Sequence, residues 1–309
     1  MMKGHCLVLG ACGFMGTHLV SALLREGHQV RAFDLPVKVK DTNNRSHPNL
    51  EYVGGRFDHK AELASALDDV DIVFHLVGTT VPQSSNEDMA FDIQTNLIDT
   101  VAFLHLCVQR GVKRVLFPSS GGTIYGIPLK NPVRESSATR PICSYGIVKQ
   151  AIENYLHLFN YLHGLEYVVL RISNPYGTGH QKVGQGVIPT FLKCIKDQGR
   201  IDVWGDGSVV RDYIFIHDVV EAFLKAMAYS SSESVFNIGS GVGTSLSEVI
   251  ELIEEVVGVT FKRVFSPGRK VDVPAIYLDI SLAREKLGWQ PEVSLKKGIK
   301  MTWEEIRRR

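Results

Sequence analysis

The sequence predicts an α/β protein, a doubly wound parallel sheet carrying a smaller α/β lobe drawn mainly from its C-terminal part. Three observations carry that reading. Short apolar runs alternate with stretches of helical spacing up to about residue 172. The runs are apolar at nearly every position, as strands covered on both faces must be. Beyond Asn174 the rhythm gives way to loops rich in Gly and Pro.

Taken in order, residues 5–10 form an apolar run, 14–26 have helical spacing, and 29–33 form a second run, which is one βαβ unit. Residues 71–76 and 114–117 read as buried strands, and 89–110 as one long helix ending at Gly111. A further helix over 144–163 closes at Gly164 and leads into a strand over 166–172. That makes at least five parallel strands. A helix over 188–198 and an extended stretch over 201–204 belong to the lobe, whereas 217–237 reads again as helix then strand and should return to the first sheet. The expected division is a sheet domain over 1–173, rejoined by 215–240, and a smaller lobe over 174–214 and 241–309.

A chain of 309 residues, 44% of them hydrophobic, can bury a large core. Its 34 basic and 33 acidic residues leave a net charge of +1, so no global field draws it to nucleic acid or to an anionic membrane. There is no apolar run of membrane-spanning length, and the N-terminal stretch lacks the pattern of a signal peptide. The five cysteines are scattered and never form a Cys-x-x-Cys pair, which argues against a zinc site or a disulfide framework and for a reducing cytoplasm.

Chemistry enters at the first turn, Gly10-Ala11-Cys12-Gly13-Phe14-Met15-Gly16, set between a predicted strand and a predicted helix. Such a turn presents backbone N–H groups and a helix N-terminus to a pyrophosphate, with no side chain in the way. Asp34 closes the second strand at a distance suited to a carboxylate that accepts from both adenosine ribose hydroxyls and repels a 2′-phosphate, which favours NAD over NADP. The plainer alternative is a tight turn and a solvated acid before Pro36. Tyr145-Gly146-Ile147-Val148-Lys149 places a phenol and an ammonium on one helix face. A phenol is a poor base at neutral pH, but a neighbouring Lys charge and a cationic nicotinamide both favour phenolate, so Tyr145 can exchange a proton with a hydroxyl whose carbon exchanges hydride. The alternative is a surface pair.

Together these motifs make the chain resemble the extended short-chain dehydrogenases, specifically the NAD-dependent nucleotide-sugar epimerases and dehydratases. The resemblance runs nearly end to end. It includes Phe74-His75-Leu76, Asn96, Ser119-Ser120, Ile124-Tyr125-Gly126, Leu170 to Gly177, Gly205-Asp206-Gly207, Arg211-Asp212-Tyr213, His217-Asp218-Val219, Phe236 to Gly239 and Leu287 to Pro291. It implies a Rossmann fold whose cofactor contacts are Gly10, Gly13, Phe14, Met15, Gly16, Asp34, Arg56, Phe57, Leu76, Val77, Asn96, Ser119, Tyr145, Lys149 and Pro175. It also implies substrate contacts from Asn174, Val187, Ile188, Arg211 and Arg269, the two arginines forking onto a diphosphate. Val187 and Ile188 could equally be core, and the arginines could pair with Asp212 and Asp272. His75 and His217 read as structural, and no metal site is expected.

Two positions depart from the family pattern. The usual catalytic Ser or Thr falls on Gly121, leaving Ser120 or Thr123 to supply the hydroxyl. An acidic residue that commonly contacts adenine is replaced by Arg56, with Asp58 close by and backbone contacts from Arg56 and Phe57 still open. Relatives that dehydrate or decarboxylate the sugar carry carboxylates near Gly121-Gly122, and this loop has none. The expected activity is therefore C4 epimerisation of a nucleotide sugar, a UDP-sugar first, through a 4-keto intermediate. The alternatives are a 4-keto nucleotide-sugar reductase and a non-catalytic sensor of NAD or nucleotide sugar. The resemblance further suggests a homodimer formed through residues 89–110 and 144–163, although those apolar stripes could be spent on the sheet.

Overall fold

The computed structural model describes residues 4–41, 46–179, 186–268 and 272–308. Six strands, β1 (His5–Leu9), β2 (Gln29–Asp34), β3 (Leu50–Gly54), β4 (Ile72–His75), β5 (Arg114–Ser120) and β6 (Glu166–Ile172), join with Val235–Ile238 in one parallel sheet. The order from one edge is Val235–Ile238, β6, β5, β4, β1, β2, β3. The chain starts in the middle, winds outward to β3, then returns across β1 to build the other half, which is the doubly wound Rossmann topology. Since all neighbours run parallel, the carboxyl ends of β1, β4, β5 and β6 share one edge of the sheet.

Helices cover both faces, which is why the strands are apolar on both. One face packs Cys6, Val8, Phe74 and Leu116 with Leu19 and Leu23 of the helix Phe14–Arg25 and Phe223 of Ile216–Ala228. The other packs Leu7, Leu9, Val73, Val115 and Phe117 with Phe103 and Leu104 of Asp99–Arg110 and with Val148 and Ile152 of Ser144–His163. The 89–110 stretch is helical but not one α-helix: Met89–Asp92 and Asp99–Arg110 flank a π-helical turn over Ile93–Ile98. β3 is an edge strand with no fully buried residue, so its sequence lacks the apolar run that reveals the others.

The remaining elements form small sheets beyond the carboxyl edge. Asn174–Tyr176 pairs with Tyr213–Phe215, Arg200–Trp204 with Lys262–Ser266, and Val210–Arg211 lies between Thr244–Ser245 and Ala275–Ile276. Helices Val187–Gln198, Leu246–Val257, Ser281–Leu287 and Leu295–Arg308 accompany them. Two buried polar networks tie these segments to the sheet. Arg171 donates to Glu153 at 2.7 Å and to the Tyr125 hydroxyl at 3.0 Å, which donates to Asn237 Oδ1 at 2.6 Å; the Asn237 amide reaches Val133 and Asp279 carbonyls. Asp218 accepts from the backbone of Glu292 and Val293 while its carbonyl accepts from the Trp289 indole at 2.9 Å. None of the described helices is long and apolar enough to cross a membrane.

Candidate active site

At the end of β1 the chain turns at Gly10, whose φ of +80° is left-handed and suits glycine. A Cβ at Gly10 would stand 3.1 Å from the Leu76 carbonyl, and one at Gly16 would stand 2.3 Å from the Gly10 carbonyl oxygen. The turn is therefore pressed against the Leu76–Val77 backbone, and the helix Phe14–Arg25 begins with no side-chain cap. Its first N–H groups, those of Phe14, Met15 and Gly16, have no carbonyl a turn earlier within the helix and can meet an anion. Asp34 is not a solvated acid: it is 6% exposed, with Oδ2 accepting from the Cys12 N–H at 2.9 Å and Oδ1 from the Leu35 N–H at 2.8 Å. Lys38 stands 3.1 Å from Oδ1. The structure thus brings the glycines, Asp34, Leu76 and Val77 to one place.

Arg56 departs from expectation. Its side chain points to solvent and forks onto Asp58, at 2.9 and 2.6 Å, and its backbone N–H already donates to Glu62 at 2.7 Å. That N–H is taken by a carboxylate on the following helix, Lys60–Ala66, which the sequence reading did not identify. Phe57 stacks on His75 with centroids 4.9 Å apart. Burial, then the Lys149 charge, pull the His75 imidazole down to about 3, so it is neutral, with Nε2 facing the Thr100 hydroxyl at 2.9 Å.

Tyr145 and Lys149 stand on the first turns of Ser144–His163, where this helix crosses the end of β5. Lys149 is 9% exposed, which removes the surface-pair reading. Its Nζ donates to the Pro118 carbonyl at 2.9 Å, lies 4.3 Å from the Phe117 ring centroid and 5.6 Å from that of Tyr145. Burial pulls the ammonium down to about 8, against Glu153 and Asp92, which raise it. Burial likewise pushes the Tyr145 phenol up to about 12, assisted by Cys143 and Asp92. Against the expectation that Lys149 favours phenolate, burial holds the phenol neutral in the chain by itself.

The hydroxyls sort by face. Strand alternation puts Ser119 with Phe117, towards Lys149, and Ser120 on the opposite face with Leu116. Thr123 lies under the helix that carries Tyr145: a Cβ at Gly146 would be 3.1 Å from its carbonyl oxygen. Among the described residues the buried Ser119 Oγ and Thr123 Oγ1 have no hydrogen-bond partner, and such groups are costly unless a ligand or water completes them. Gly121 cannot simply carry the usual hydroxyl, since a Cβ there would be 2.6 Å from the Leu278 side chain and 2.9 Å from the Arg171 carbonyl oxygen.

Asn96 sits in the π-helical turn. Its Oδ1 accepts from the Thr79 N–H at 3.0 Å and its Nδ2 donates to the Thr79 hydroxyl at 2.7 Å and to Asp92 Oδ1 at 3.0 Å. It therefore fastens the loop after β4 rather than reaching outward. On the substrate side, Asn174 donates Nδ2 to the Asp212 carbonyl at 2.9 Å and borders the open space at Gly122, and Pro175 follows it in the short strand. Of the two alternatives for Ile188, its side chain takes the core one at 1% exposure, facing inward on the amphipathic helix Val187–Gln198, while Val187 is half-buried beside it. Arg211 donates to the Val210 carbonyl at 2.9 Å and to that of Val273. Asp212 is spent elsewhere, accepting from Ser173, Ser240, Gly241 and Leu278. Arg269 lies outside the described residues. Sequence reasoning missed Asp92, Ser144, Thr79 and Thr80; an acid four residues before Asn96 on one helical face was the available signal.

The residues present fit a dinucleotide: a cradle that side chains would fill, a carboxylate beside it, and an unpartnered buried hydroxyl at Ser119. Comparison with known proteins agrees. Residues 6–239 match the model of the NAD dependent epimerase/dehydratase family. A UDP-glucose 4-epimerase of Mycolicibacterium smegmatis is 35% identical over 307 residues, covering 97% of this chain and 98% of that one. A dTDP-4-dehydro-6-deoxyglucose reductase of Escherichia coli is 33% identical, covering 99% and 98%. The crystal structure of the UDP-glucose 4-epimerase of Thermotoga maritima with UDP-glucose superposes with a TM-score of 0.89 at 35% identity, covering 98% of this chain and 99% of that one.

Proposed function

This chain belongs to the NAD dependent epimerase/dehydratase family, and from that premise we propose that it inverts C4 of a nucleotide sugar, with a UDP-sugar as substrate. The observation that carries the reading is the enclosed Lys149 beside Tyr145 at the end of β5, next to a Gly121-Gly122 loop that holds no carboxylate. A phenol and an ammonium suffice to move one proton; dehydration would need a further acid.

Gly10, Gly13, Gly16 and Asp34 would hold the pyrophosphate and adenosine ribose of NAD, with Ser119 and Lys149 near its nicotinamide end. Bound there, NAD would supply the hydride acceptor and donor for the sugar's C4. Tyr145 takes the C4 hydroxyl proton as phenolate and gives it back as phenol. Lys149, fixed to the Pro118 carbonyl, supplies positive charge to that phenolate. Thr123, under the first turn of the helix and with Oγ1 unpartnered, is the better hydroxyl partner for the C4 oxygen; Ser120, facing the other side of the sheet, is the weaker one. Asn174 and Arg211 are assigned to the sugar and diphosphate, within a substrate lobe of residues 174–214 and 241–309.

Incubation with a panel of UDP-sugars in deuterated buffer, followed by proton NMR, tests this. The expected result is the C4 epimer without deuterium at C4; conversion that requires added reduced cofactor would overturn it. The Escherichia coli relative supports a second reading, reduction of a 4-keto nucleotide sugar, for which stoichiometric loss of NADH with such a ketone is the test. We also assign a homodimer through residues 89–110 and 144–163, since Ser144–His163 buries one face on the sheet yet leaves Ile147, Leu158 and Leu162 exposed, and Met89, Phe91, Ile93 and Ile98 are exposed in the other stretch.

A further inference from the structure

A buried carboxylate that the steps above do not use lies behind the Tyr145–Lys149 pair. Asp92 is 0% exposed. Its Oδ1 accepts from the Thr80 hydroxyl at 2.6 Å and from Asn96 Nδ2 at 3.0 Å, and its Oδ2 from the Ser144 hydroxyl at 2.6 Å. Burying a charge is costly unless donors surround it, and these three donors come from three separate elements: the loop after β4, the π-helical turn, and the first residue of the helix that carries Tyr145. Ser144 is held a second time, its N–H donating to Asn86 Oδ1 at 2.9 Å.

We propose that Asp92 is a positioning residue, which locks the first turn of the Tyr145 helix to the loop after β4 and whose fixed negative charge counterbalances the Lys149 ammonium. This rests on the C4 epimerase reading for its consequence in turnover. Among the described residues, these charged or titratable groups stand around the pair. Cys143 precedes the helix, and Glu153 lies one turn beyond Lys149 but is engaged by Arg171 at 2.7 Å. His75 on β4 is neutral, and Asp92 adjoins the pair through its bond from the Ser144 hydroxyl, one residue before Tyr145. Asp92 raises the affinity of both Tyr145 and Lys149 for protons. It thereby keeps Lys149 charged and defers ionisation of Tyr145 until the cationic cofactor is beside it.

Asp92→Asn removes the charge and keeps the shape, with the new amide facing the Ser144 oxygen. Tyr145 is titrated directly, by the near-ultraviolet absorbance of its phenolate, as the difference between each NAD-loaded protein and the same protein carrying Tyr145→Phe. Asp92→Asn should lower the midpoint by about one pH unit. Ser144→Ala, which breaks the tie and keeps the charge, should leave the midpoint in place while lowering kcat with KM unchanged. An unmoved midpoint in Asp92→Asn, or an equal shift in Ser144→Ala, overturns the proposal. Asp92→Ser, read in the same way, serves should the amide variant not fold. The titration needs no substrate, so failure of UDP-sugar turnover would sink the epimerase reading without touching this measurement.

Discussion

At the scale of single residues, the site is governed by desolvation. Tyr145 and Lys149 are picked out by their spacing together with the glycine turn, but their acidities are set by what encloses them, and burial moves both towards the neutral form. Tyr145→Phe should abolish turnover and leave NAD bound, checked by activity and by cofactor retained through gel filtration. His75 makes a second case. Its imidazole is held at about 3 in the fold, far below the ~6.5 of an unfolded chain. Between those values only the unfolded chain takes up the proton, so stability is complete above pH ~6.5 and is lost as pH falls, by up to roughly 1.4 kcal/mol per unit. His75→Gln should flatten this dependence in urea denaturation at pH 7 and pH 5. No sequence pattern marks His75 as neutral; that follows from Phe57, Phe103 and Phe117 closing around it.

At the scale of elements, the strongly periodic segments were legible and the quiet ones were not. β3 escaped notice as a half-exposed edge strand. The helix Leu246–Val257 also escaped, although Ser245 and Glu248 form a capping box that announces it. The π-helical turn is invisible to a helical pattern, which reads 89–110 as continuous, yet it is what turns Asn96 towards Thr79 and Asp92. Element packing also explains Gly121. Gly121→Ser should gain no turnover and should cost about 1–3 kcal/mol, because the added atoms meet Leu278 and the β6 backbone; its denaturation midpoint checks this. The Arg171–Glu153 pair joins β6 to the catalytic helix. Glu153→Ala, which strands a buried guanidinium, should lose about 3–5 kcal/mol, whereas replacing both partners by apolar residues of similar size should recover most of it.

At the scale of the whole molecule, the sheet and the C-terminal segments are joined by the Tyr125–Arg171–Asn237 and Asp218–Trp289 networks. These account for motifs such as Tyr125-Gly126 and Gly288-Trp289 as fastenings rather than chemistry. The helix Ser144–His163 is amphipathic twice over, with Val148, Ile152 and Leu156 on the sheet and Ile147, Leu158 and Leu162 on the surface. Leu158→Glu should convert the proposed dimer to a monomer in sedimentation velocity; a wild-type monomer would refute the assignment outright.

The strongly periodic strands and helices, the glycine turn, Asp34 and the Tyr145–Lys149 spacing were determined by the sequence itself, because each is a local pattern: a period, a turn requirement, or residues one helical turn apart. Only the tertiary structure decided that Ile188 is core, that the Arg56 N–H is already bonded to Glu62, that Thr123 rather than Ser120 lies under the Tyr145 helix, and that Asp92 stands behind it. Those outcomes depend on which face of an element meets which neighbour, and burial and hydrogen-bond competition between residues far apart in sequence settle that.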